Sequence, residues 1–124
     1  MTTILIVDDN PQVRLALRGC LELNESWQVC GEAENGEDAV TLAKKLKPGV
    51  VLLDYAMPVM NGVEAARLIS AAVPKSVLIL FTMFATRQLI ALALAAGVSE
   101  VISKDVGGVS AICQAIEKIS GEAA

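Results

Sequence analysis

The chain contains no histidine, which excludes a Ser-His-Asp triad, a histidine metal cage and any histidine general base. Aromatic residues are 3% of the 124, so a core has to be built from Val, Leu, Ile and Ala. Cysteine is sparse and odd in number. Cys20, Cys30 and Cys113 have no CxxC spacing, which argues against a disulfide framework or a zinc site and for a reduced, cytoplasmic protein. Basic runs go no further than Lys44-Lys45, and the net charge is −4 with a sequence pI of about 4.7. A backbone grip on nucleic acid needs a basic face, so none is expected from this segment. No charge-free apolar stretch approaches the ~18 residues of a membrane span. The start, Met1-Thr2-Thr3, lacks the basic lead of a secretory signal.

What the chain has is apolar content: 54% hydrophobic against 19% charged, above the usual apolar share of about 45–50%. That is ample to offset the entropy of folding, so disorder is excluded. The length predicts one domain over residues 1–124, with a core of about 3–120 and 121–124 as a tail or the start of a linker.

Short β-branched runs alternate with longer amphipathic ones. Strands are predicted at Thr3–Val7, Trp27–Ala33, Val50–Leu53, Val77–Phe81 and Val98–Ser103. Their continuous apolar character is that of parallel strands buried on both faces. Helices are predicted from Pro11 to about Leu23, then over Glu37–Leu46, Val63–Val73, Ala85–Ala96 and Val109–Ile119. Asn10-Pro11 marks the first start and Gly97 closes the fourth. Five βα units predict an α/β protein, a doubly wound parallel sheet with helices on both faces. Its working site should lie beyond the carboxyl ends of the strands.

Those ends converge on one chemistry. The first strand runs into Asp8-Asp9, the third into Asp54, the fourth into Thr82 and the fifth into Lys104. Asp8-Asp9 could serve as a helix cap, but Asn10-Pro11 already supplies one. Three clustered carboxylates repel one another unless a cation joins them. Hard oxygen ligands suit Mg²⁺ (or Mn²⁺). With its two positive charges and that of Lys104, the cluster becomes neutral and able to accept a phosphoryl group.

Ile6-Val7-Asp8-Asp9-Asn10, Leu53-Asp54-Tyr55-Ala56-Met57-Pro58 with Asn61-Gly62, Thr82, and Ser103-Lys104 together resemble the signature of response-regulator receiver domains of two-component signal transduction. The resemblance spans residue 3 to about 120. It implies a flavodoxin-like (βα)5 fold with strand order 2-1-3-4-5. It further implies Asp54 as phosphoacceptor. Asp9, Asp54 and the Ala56 backbone carbonyl would be the metal ligands, with Asp8 acting through a water. Lys104 would pair with the phosphoryl oxygens, and the Thr82 hydroxyl would swing towards them. The implied donor is a sensor histidine kinase or phosphotransfer protein. Ser103-Lys104-Asp105 followed by glycines is also similar to receivers joined to helix-turn-helix DNA-binding outputs, which would lie beyond this segment.

Four positions invite comment. Val101 stands where the family often has an aromatic switch residue, so coupling there cannot use ring rotation. Asp105 replaces the proline usual after the lysine, and a trans bond is expected before it. Ala56 has no polar side chain to orient water and Phe84 can shield the site, so slow self-hydrolysis is expected. In the fourth helix Leu89, Ile90, Leu92 and Leu94 cover an arc of roughly 200°, wider than packing on a sheet needs. Either the helix is sunk deeply or Leu92 marks a partner or homodimer surface.

Three other functions fit these residues less well. An aspartyl phosphatase needs an acid/base two residues past the nucleophile, where Ala56 stands. A flavin module needs a Ser/Thr/Gly-rich loop after the first strand, where the acids stand. A pseudo-receiver usually lacks one of the five polar groups, and all five are present.

Overall fold

The computed structural model describes residues 1–105 and 107–120. The tail predicted at 121–124 lies outside the described residues. The elements alternate without exception: β1 (Thr2–Val7), α1 (Pro11–Leu21), β2 (Trp27–Ala33), α2 (Gly36–Leu46), β3 (Val50–Leu53), α3 (Gly62–Ala72), β4 (Val77–Thr82), α4 (Arg87–Ala95), β5 (Val98–Ser103) and α5 (Gly108–Ser120). All neighbouring strands pair in parallel, in the order β2-β1-β3-β4-β5. This is the flavodoxin-like order.

Period-2 alternation splits the core in two. Ile4 and Ile6, Val50 and Leu52, and Ile79 and Phe81 face one side, where they meet Leu17 and Leu21 of α1 and Ile112 and Ile116 of α5. Leu5 and Val7, Val51 and Leu53, and Leu78 and Leu80 face the other, against Ala39 and Ala43 of α2, Ile69 of α3 and Ala93 of α4. The stretches of β1, β3 and β4 that pair with one another are therefore apolar throughout, because both faces are covered.

Local chemistry sets the helix starts. Asn10, Asn35, Asn61 and Thr86 each accept a backbone N–H of the first turn, and Asn61 with Glu64 completes a reciprocal box. Several boundaries differ from expectation, most of them by a single residue. α1 ends at Leu21 rather than Leu23, because the Glu22 N–H closes on Arg18 and a tight turn follows. α4 begins at Arg87 rather than Ala85, because the Thr86 hydroxyl caps it. The strand β4 reaches Thr82, which pairs with Ser103. Gly97, at φ 103°, closes α4 as expected. Among the described residues no helix is long and apolar enough to cross a membrane.

Candidate metal and phosphoryl site

The parallel register brings the strand ends level. Val7 pairs with Leu53 and Leu53 with Leu80, so the residues that follow emerge together at one rim. Asp8 donates its N–H to Ala33 at 3.0 Å and Asp54 donates to Val7 at 2.9 Å, extending the ladders one step past the strands. Their carboxylates, with that of Asp9, offer ligand atoms that all lie within 4.8 Å of one another. Asp8 and Asp54 are buried and Asp9 is exposed.

Lys104 closes the group. Its Nζ lies 2.7 Å from Asp8 Oδ2 and 3.3 Å from Asp54 Oδ1, and 5.7 Å from the centre of the Phe81 ring. The Lys104 N–H donates to the Thr82 carbonyl at 2.9 Å, which fixes the start of the lysine loop to the end of β4. Thr82 is fully buried, and its hydroxyl accepts the Phe84 N–H at 3.1 Å. The Lys104–Asp105 peptide is trans.

Burial pushes the Asp54 carboxyl above the usual carboxylate range. The charge on Asp8 and, more weakly, that on Asp9 push the same way, while Lys104 pulls it back. One ammonium cannot neutralise three carboxylates. The donor set is all oxygen and partly open to solvent, which fits a hard divalent cation and not one that prefers thiolate or imidazole.

The loop between Asp54 and α3 is tightly held. Gly62 donates to the Tyr55 carbonyl at 2.8 Å, and a Cβ on Gly62 would collide with the Asp54 carbonyl. Val59 takes φ 72°, a costly conformation for a β-branched residue, with Met60 N–H on the Pro58 carbonyl at 2.8 Å. Ala56 is exposed on this loop.

The structure brings Asp8, Asp9, Asp54 and Lys104 into one cluster and places Thr82 at the next strand end. Phe84 is 54% exposed and, with Tyr55, Thr86, Leu89 and Leu92, lines a hollow of about 270 Å³ beside the site. Val101 is half-buried in β5 and packs against the α2–α3–α4 core. Leu92 is 55% exposed, so the deeply sunk α4 is excluded.

Several supporting residues escaped sequence reasoning. Arg14 Nη1 donates to the Asp8 carbonyl at 2.6 Å and Arg14 Nε to Glu32 at 3.0 Å, while the Asn10 N–H binds Asp8 Oδ1 at 2.9 Å. The Asn10 contact was signalled by an Asp two residues before a helix cap. The reach of Arg14 to Glu32 depends on how α1 lies over β2, which no local pattern reports.

Comparisons with known proteins agree with this geometry. The family model for the response regulator receiver domain matches residues 4–117. The transcriptional regulatory protein LnrK of Bacillus subtilis is 42% identical over 106 residues, covering 86% of this chain and 48% of LnrK. The chain thus spans about half of that relative. The chemotaxis protein CheY of Thermotoga maritima is 33% identical over 117 residues, 94% of this chain and 96% of CheY. A LuxR-family two-component response regulator from Aurantimonas sp. SI85-9A1 superimposes with a TM-score of 0.90 at 30% identity, covering 98% of this chain and 87% of that one.

Proposed function

The chain belongs to the response regulator receiver domain family of two-component signalling, and from that premise we propose that Asp54 accepts a phosphoryl group from a phosphohistidine and so controls an output or a partner. The observation that carries the reading is Lys104 joining Asp8 and Asp54 beneath an acidic cluster at the strand ends. With no histidine in this chain, the donor belongs to a separate sensor kinase or phosphotransfer protein in the cytoplasm.

Asp9 and Asp54 would hold Mg²⁺ (or Mn²⁺), with the Ala56 carbonyl as third protein ligand and Asp8 acting through a water. A bound divalent cation supplies charge neutralisation for the carboxylates and the incoming phosphoryl oxygens. The Asp54 oxygen attacks phosphorus in line. The P–O bond forms as the P–N bond to the donor imidazole breaks. Lys104 exchanges part of its contact with Asp8 and Asp54 for the phosphoryl oxygens. Thr82 gives up its acceptor role towards Phe84 and turns its hydroxyl to the same group. That exchange loosens the loop entering α4, and so transmits the event to the surface carrying Leu92 without any movement of Val101.

The turnover expected is self-phosphorylation and slow self-dephosphorylation only. The half-length match to LnrK and the Ser103-Lys104-Asp105 sequence support a DNA-binding output carried on further chain. The test is intact mass after acetyl phosphate. The wild type should gain one phosphoryl group with Mg²⁺ present and none with a chelator, and Asp54→Ala should gain none. Equal labelling of Asp54→Ala would overturn the assignment.

A further inference from the structure

We propose that Cys20 and Cys113 form a modification site, a reversible disulfide through which hydrogen peroxide staples α1 to α5. The two sulfurs lie 3.8 Å apart, although 93 residues separate them in sequence. A disulfide bond is about 2.05 Å long, so closure needs the two sulfurs to approach by under roughly 2 Å. Both thiols are free and partly exposed, so an oxidant reaches them without unfolding. Leu17 and Leu21 on α1 and Ile112 and Ile116 on α5 are buried beside them and belong to one core cluster. That packing holds the facing cysteines in place.

The third cysteine is not a competitor. Cys30 sits at the irregularity in β1–β2 pairing, packs on the opposite face of the sheet, and its thiol donates to the Ile4 carbonyl at 3.5 Å.

The chemistry runs in two steps. Burial first, then contact with Cys20 and the charge on Glu117, push the Cys113 thiol up to about 11, so it stays protonated at neutral pH. One of the two sulfurs takes one peroxide oxygen, the O–O bond breaks, and water leaves with a sulfenic acid on that cysteine. The facing sulfur then attacks it and loses its proton. The S–O bond breaks and a second water leaves. Two thiols are oxidised to one disulfide, and one peroxide is reduced to two waters.

The bridge has a structural consequence. An apolar cleft of about 270 Å³ lies between the same helices, lined by Val13, Ala16, Leu17, Phe81 and Val109 with Lys104. Cys20 is one turn along α1 from Leu17, so the bridge fixes the width of that cleft. The proposal is independent of what Asp54 accepts.

The test treats the whole chain with hydrogen peroxide after reductant is removed, followed by non-reducing peptide mapping and thermal melts. The expected product is a monomer lighter by two hydrogens, in which the Cys20 peptide is joined to the Cys113 peptide. Closing so long a loop should raise the melting temperature by roughly 10 °C, reversibly with dithiothreitol. Cys20→Ser and Cys113→Ser should lose that rise, and Cys30→Ser should keep it. Linkage through Cys30, linked dimers, an unchanged mass, or sulfenic or sulfinic acid without a bridge would overturn the proposal. The wild-type map decides the matter even where a Ser variant fails to fold.

Discussion

Lysine is rarely buried, yet the Lys104 side chain is only 12% exposed. Two carboxylates and the face of Phe81 account for it, and the lysine in turn keeps Asp8 and Asp54 from an uncompensated burial. Thr82 is the converse case, a residue whose hydroxyl is occupied before any ligand arrives. In the proposed function, what surrounds Asp54 also sets how long its acyl phosphate would survive. Neither Ala56 nor Phe84 can orient water, so Ala56→Asn and Phe84→Glu should each speed loss of the phosphoryl group several-fold. A time course of intact mass reads this, and unchanged decay in both variants would contradict the shielding role. At this scale the sequence was informative where an apolar run stops at a polar residue, as at Val7-Asp8 and Leu53-Asp54. It was silent on Arg14 and on Phe81 beneath Lys104, because those contacts join elements far apart in the chain.

Helix α4 shows why apolar composition alone misleads. The residues of α4 and its C-cap that pack inward are Leu89, Ala93 and Ala96, at helical spacing, while Leu92 and Leu94 are more than half exposed. Two alanines and Leu89 do the packing, and Leu92 and Leu94 are left outside. Counting large residues pointed to the wide arc but not to which side was covered. The strands were legible nearly to the residue, since burial on both faces leaves uninterrupted apolar runs. Helix ends were less so, since the closing turn after Leu21 and the Thr86 cap depend on single hydrogen bonds. Between α1 and β2, Arg18 Nε at 2.7 Å and Arg14 Nε at 3.0 Å hold the Glu32 carboxyl below the usual carboxylate range, Arg18 most strongly. A carboxyl lowered on folding stabilises the fold above its unfolded value of about 4.3 and loses that contribution as pH falls through the folded value. Glu32→Gln should therefore cost about 1 kcal/mol near neutral pH, with the difference shrinking below about pH 4 in urea titrations.

Across the whole molecule, one sheet serves two purposes. Its two-sided burial supplies the stability, and its parallel sense delivers Asp8, Asp9, Asp54, Thr82 and Lys104 to a single rim. The strand order itself was not in the residues read one by one, because the paired stretches of the central strands are equally apolar. It came from the resemblance, and the pairing agrees. The surface that packs and the surface proposed to communicate are separate. Leu92 stands out into solvent on the side of α4 away from the core, so Leu92→Glu should change stability by no more than about 0.5 kcal/mol while weakening any self-association seen by sedimentation. A loss of several kcal/mol would place Leu92 in the core instead. The proposed function turns on one oxygen of one residue, Asp54. Borohydride reduces an aspartyl phosphate to homoserine, so the chain can be phosphorylated with acetyl phosphate and Mg²⁺, reduced, and sequenced by tandem mass spectrometry. Homoserine is expected at position 54 and nowhere else; homoserine at position 8 or 9, or none at all, would contradict the assignment of Asp54.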